Sequence, residues 1–206
     1  MTMEYVDITV ESEDSKDVLA RLVHAVHKYN APRRMAMGDG GTHPLAFSLP
    51  NFSEAAFDES ARCVAFPQAG FVLRIFGEHA ALAEYMQTPG VSRMSKMGMV
   101  FLAAPASIPD RAGSERFSRD RKLQKAYRDN AYARRQKSRA ESQGRAHAAR
   151  KHGVVEPAVR FEMSSGSQGQ KFLLDVRRGA SSPNDAWFLR INAYGLCAEN
   201  TAIPKF

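Results

Sequence analysis

The chain has 206 residues, enough for one domain or two small ones, and its 44% hydrophobic and 25% charged content is ordinary for a folded domain in water. No apolar run approaches the roughly 20 residues of a membrane span, and the acidic start MTMEYVDITVESED has no apolar signal core, so a membrane role and secretion are both unexpected and the expected location is the cytoplasm. The net charge of +7 is concentrated: Arg116 to Lys151 holds 13 of the 29 lysines and arginines against three acids, Asp120, Asp129 and Glu141. That field calls for a concentrated polyanion, and nucleic acid is the usual one. Cys63 and Cys197 stand alone, with no Cys/His cluster at zinc-ligand spacing, and neither GxxxxGK[ST] nor GxGxxG occurs. No metal and no cofactor is expected.

The segment Glu4 to Val10 alternates, with Val6, Ile8 and Val10 on one face, and predicts a half-buried strand. Ser12 or Asp14 can cap the element that follows. There Val18, Leu19, Leu22, Val23 and Val26 recur at helical spacing, predicting an amphipathic helix over 15–29 that ends before Pro32. Residues 38–70 hold turn formers and one short strand-like stretch, AFSL, before Pro50. FVLRIF from Phe71 to Phe76 predicts a strand. Ala80 to Met86 predicts a helix closed by Pro89 and Gly90, and Met97 to Ala103 predicts a strand. The order β-α-β-β-α-β is the ferredoxin-like arrangement.

Pro105, Pro109 and Gly113 mark a linker, and the basic element follows without a proline. Within it Arg121, Lys125, Arg128, Tyr132, Arg135 and Arg139 are spaced by three or four residues and form one stripe on a helix. A solvated helix normally alternates charge sign to gain pairs along its face. This one does not, so its like charges repel until a polyanion neutralises them. RNA is favoured over DNA, with arginine forks gripping phosphates or guanine edges near a hairpin loop or helix end, where the narrow groove opens. Beyond Pro157 the stretches VRFEM, KFLLDV and WFLRI predict antiparallel strands, with Trp187, Phe188 and Ile191 in the core. The expected fold class is α+β. A ferredoxin-like (RRM-like) domain fills residues 1–104, 105–116 form a linker, and 117–206 form an RNA-binding domain of an arginine-rich helix and short antiparallel strands.

Several motifs lie in order along the chain. Ser165-Gly-Ser-Gln-Gly-Gln-Lys-Phe172 is followed by a strand and later by Tyr194-Gly195-Leu196. Upstream stand Tyr5-x-Asp7-Ile8, Val18-Leu19 with His24, Phe47-Ser48-x-Pro50, Leu73-Arg74-Ile75 and Phe117-Ser118-Arg119, and Pro204-x-Phe206 closes the series. Together they resemble the type I-F CRISPR repeat-processing endoribonucleases, the Csy-type enzymes. That resemblance implies metal-independent cutting of precursor CRISPR RNA at the 3′ base of a repeat hairpin, by attack of the substrate's own 2′-hydroxyl on the adjacent phosphate. It implies His24 as the catalytic histidine, Ser165 as the holder of the nucleophilic ribose and Tyr194 as the residue that orients the histidine. Ser167 would contact the phosphate, with Gln168 standing where the family pattern has threonine, and Gln170 would belong to the same RNA-binding run. Phe172 would stack on the terminal base pair, and Arg119 and Arg121 would read purines near the stem base. Arg134, Arg135 and Arg139 would insert into the groove, with Ser138 in place of one arginine, and Lys125 and Arg128 join the RNA-binding set through their place on the stripe. His27 lies one turn from His24 and Ser164 adjoins Ser165, so both choices rest on local matching. The implied partners are the repeat hairpin, the mature crRNA and other subunits of a type I-F surveillance complex, with the protein a monomer on its RNA.

Overall fold

The computed structural model describes residues 2–12, 14–34, 41–52, 57–58, 63–64, 70–119, 159–164, 171–182 and 184–206. The fold is α+β. Strand β1 (Met3–Val10) buries Val6, Ile8 and Val10, as its alternation requires. Helix α1 (Ser15–Asn30) follows and buries Leu19, Leu22, Val23 and Val26 on one stripe. Asp14 occupies the N-cap position, but its side chain makes no capping bond. At the far end Asn30 fixes the helix to the next segment. Its Nδ2 donates to the Leu45 carbonyl (2.8 Å), and its Oδ1 accepts from the Leu45 N–H (3.1 Å).

Strand β2 (Ala46–Ser48) is followed by a short antiparallel pair, β3 (Phe57–Asp58) and β4 (Cys63–Val64). The chain continues through β5 (Val72–Glu78), α2 (His79–Met86), α3 (Pro89–Lys96) and β6 (Val100–Leu102). The first sheet has the order β2-β5-β1-β6, antiparallel throughout. With β3 and β4 set aside, this is the expected βαββαβ topology. One helix exceeds expectation. Pro89 does not end α2; it starts α3, where its missing N–H costs nothing.

Strand β7 (Ala106–Ser107) lies in the expected linker and pairs with β1. Strand β8 (Gly113–Arg119) carries Phe117-Ser118-Arg119 as sheet. Then come β9 (Val159–Ser164), β10 (Lys171–Gly179), β11 (Ala186–Trp187) and β12 (Thr201–Lys205). The second sheet has the order β11-β12-β8-β10-β9. The expected strand WFLRI is reduced to its first residue. Trp187 is 41% exposed and bonds Ser114 through Nε1 instead of entering the core, whereas Ile191 is buried. Arg119 and Val159 both face Val176, on opposite sides of β10. Residues 120–158, which hold most of the basic stretch and the expected helix, lie outside the described residues.

Helix α1 packs against β9 as well as against its own sheet, and one buried cluster takes Leu22 and Val26 together with Phe117, Phe161, Leu174 and Val176. Each such side chain contributes on the order of 1.5–3 kcal/mol when fully buried. The C-terminus is tied to the first sheet by Arg74. Its guanidinium grips both carboxylate oxygens of Asp7 (2.7 and 2.8 Å), donates to the Phe206 carbonyl and lies over the Tyr5 and Phe206 rings.

Candidate active site

The site forms where α1 meets the loop between β11 and β12. That loop is a self-bonded turn. The Asn192 side chain accepts from the N–H groups of Tyr194 (2.8 Å) and Leu196 (3.3 Å), and its carbonyl accepts from the Gly195 N–H (2.8 Å). Gly195 has φ +78, a left-handed conformation open to glycine. A Cβ there would stand 2.9 Å from Val26 Cγ1 and 3.1 Å from Phe47 Cδ1. The Gly195 carbonyl also accepts from the Phe47 N–H (3.0 Å). The Tyr-Gly-Leu sequence is thus a device for bringing backbone hard against α1.

The close approach delivers Tyr194 to a histidine, and that histidine is His27. Their rings stack with centroids 4.2 Å apart and planes 11° apart. The same loop holds the other edge of the imidazole: His27 Nδ1 donates to the Ala193 carbonyl at 3.2 Å. A carbonyl oxygen can only accept, so Nδ1 carries the proton and Nε2 is left as the basic nitrogen. His24 lies one turn earlier and meets the His27 ring edge to face at 6.4 Å. Burial, reinforced by the nearby charges of Lys28 and His27, pulls the His24 pKa below its ordinary 6.5.

Two further expected residues join this cluster. Phe172 on β10 meets Tyr194 edge-on at 6.2 Å, and the Arg119 guanidinium sits over the Tyr194 ring at 5.4 Å. Ser164 and Lys171 are partners across the β9–β10 pair, one position from Phe172. Ser165, Ser167, Gln168 and Gln170 follow Ser164 in sequence and lie outside the described residues, as do Arg121, Lys125, Arg128, Arg134, Arg135 and Arg139. His24, Tyr194, Arg119 and Phe172, separated by up to 170 positions, are gathered around His27. Local matching in the sequence took His24 over His27 and did not see the roles of Asn192 and Gly195. The available signal was the turn-forming pattern Asn-x-x-Gly enclosing the tyrosine, together with two histidines three apart on one helix face.

Among the described residues no group of three or more His, Cys, Asp and Glu side chains is gathered as a metal site requires, and no helix is long and apolar enough to cross a membrane. No curated protein matches the chain in sequence. The family model of the CRISPR-associated protein Cas_Csy4 matches residues 5–206. A match over nearly the whole length settles membership: the chain belongs to the Cas_Csy4 family, the type I-F CRISPR repeat-processing endoribonucleases, and is an RNA-cleaving, repeat-RNA-binding protein.

Proposed function

We propose that the protein cuts precursor CRISPR RNA at the 3′ base of the repeat hairpin without a metal ion. In this reading the 2′-hydroxyl of the last stem nucleotide attacks the adjacent phosphate. The 2′-oxygen to phosphorus bond forms, the phosphorus to 5′-oxygen bond breaks, and a cyclic phosphate is left upstream. The hydroxyl proton passes to a histidine, and the leaving 5′-oxygen takes up a proton.

The observation that carries the reading is the held imidazole of His27, stacked on Tyr194 with Nδ1 bonded to the Ala193 carbonyl. A fixed tautomer with Nε2 basic is what proton abstraction requires, and such acid–base work is typically worth about 10²–10⁴-fold. The linear match selected His24. The geometry favours His27 as the acceptor, with His24, its pKa lowered by burial, beside it. Ser165 or its neighbour Ser164 would pin the ribose, and Ser167 and Gln168 the phosphate. Phe172 would stack on the terminal base pair, a contact worth about 1–3 kcal/mol. Arg119, next to Tyr194, would read the stem base. Orientation for in-line attack would supply much of the remaining acceleration.

The dense positive segment between Arg119 and Val159 supports a second part of the proposal. The protein stays on the mature crRNA as a monomer and enters a type I-F surveillance complex, its first half supplying the histidines and residues 117–206 the grip. The test is a repeat RNA incubated with the protein in EDTA, all-ribose or with a 2′-deoxy substitution at the cut. The all-ribose RNA is expected to be cut and the deoxy RNA to be bound intact. Cutting that needs added divalent metal, or that survives the deoxy substitution, would overturn the mechanism. A tight but uncut all-ribose complex would make the protein a binder.

A further inference from the structure

We infer that the cleft between α1 and α3 carries the single-stranded RNA that leaves the histidine pair on the 3′ side of the cut, an inference that rests on the nuclease reading above. The cleft has a volume of about 1030 Å³, and His24 is part of its wall. Four aromatic rings run toward it in series: Phe172 to Tyr194 (6.2 Å), Tyr194 to His27 (4.2 Å) and His27 to His24 (6.4 Å). With the stem base at Phe172 and the reacting phosphate at His27, the next nucleotides must pass His24 or turn away into solvent. Beyond His24 they meet the cleft.

The walls suit a phosphate chain. Arg21 and Lys28 stand on α1, three residues before and four after His24, on the same helix face. Arg93 stands across from them on α3. All three are exposed. Asp17 and Glu162 also line the cleft, and Arg33 is committed to Glu84 (2.6 Å), so the positive character rests on Arg21, Lys28 and Arg93. Met94 and Met97 supply an apolar floor, and thioether side chains adapt to unpaired bases of any identity. Cations above an adaptable apolar floor fit a strand read for its backbone and not for its sequence.

Uncleavable hairpin RNAs carrying the 2′-deoxy substitution separate binding from chemistry. One ends at the scissile phosphate and the other continues as a short single-stranded 3′ tail. Their affinities for the wild type and for R21Q/R93Q, measured by fluorescence anisotropy across a salt series, test the inference. The wild type is expected to bind the tailed RNA more tightly and with a steeper salt dependence. The double variant should lose about 0.7 of log–log slope per lost phosphate contact, equivalent to about sevenfold less salt sensitivity between about 50 and 200 mM for two contacts. Its affinity for the trimmed RNA should match the wild type. Equal wild-type affinity for the two RNAs, or a tail advantage that survives R21Q/R93Q, overturns the inference. So does competition at the cleft by an acidic peptide when the RNA tail has no effect. Cutting is read separately on all-ribose RNA, so a protein that binds the tail and never cuts overturns the nuclease reading alone.

Discussion

Replacing Gly195 with alanine tests how the site is held together. The substitution meets two costs. The residue sits at φ +78, where an L side chain costs roughly 1–2 kcal/mol. The new Cβ would also stand 2.9 Å from Val26 Cγ1 and 3.1 Å from Phe47 Cδ1, both on fully buried residues that cannot swing away. Overpacking of that kind typically costs about 1–3 kcal/mol. Together the expected loss is about 3 kcal/mol, a fall in Tm of roughly 6–12 °C for a chain of this size. Gly98 is the internal control. It has φ +67 but nothing within 4 Å of a built Cβ, so Gly98→Ala meets the backbone cost alone. If the loop relieves the clash by moving, Tyr194 and the Ala193 carbonyl shift off His27, and a displacement near 1 Å can cost about 10²-fold in rate. Thermal melts and single-turnover cleavage of repeat RNA read both effects. Equal melting temperatures for the two variants would refute the close packing of this loop on α1, and with it the account of how His27 is fixed.

Two further predictions concern charge. The pKa of His24 is lowered, so the native state takes up its proton at lower pH than the unfolded chain, which does so as pH falls through 6.5. The unfolded state then binds more protons, and stability is lost on acidification. Denaturant unfolding at about pH 7.5 and 5.5 should show a smaller pH-dependent loss in His24→Gln than in the wild type, and an identical loss would contradict the burial of His24. Replacing Arg134, Arg135 and Arg139 with glutamine should weaken hairpin binding and lower the salt slope by about 2–3, at about 0.7–0.9 per phosphate contact. An unchanged slope would remove the basic segment from the RNA backbone.

The legible parts of the chain were those where one physical signal dominated. Alternation in β1 and the apolar stripe of α1 left no competing reading, and the sheet order followed from the element order. Segments with mixed signals were misread. Pro89 looks like a terminator after α2, yet the same missing N–H makes it a good first residue for α3. Trp187 looks like core, but its N–H finds Ser114 at the surface. Of the expected site residues, His24, Tyr194, Phe172 and Arg119 are described and lie near one another, through contacts that the sequence does not record. Whether Tyr194 meets His24 or His27 depends on how far the Gly195 turn advances along α1, a distance set by the packing of Val26 and Phe47 that no spacing in the sequence records.

The measurement that bears most directly on the central claim is single-turnover cleavage of repeat RNA in EDTA by His27→Ala and His24→Ala, with affinity for the uncleavable deoxy RNA measured alongside. The account predicts that His27→Ala loses about 10²–10⁴-fold in rate with its RNA affinity kept, while His24→Ala retains the greater part of its activity. Wild-type cutting by His27→Ala would contradict the account. Loss of cutting confined to His24→Ala would return the catalytic role to the residue one turn earlier.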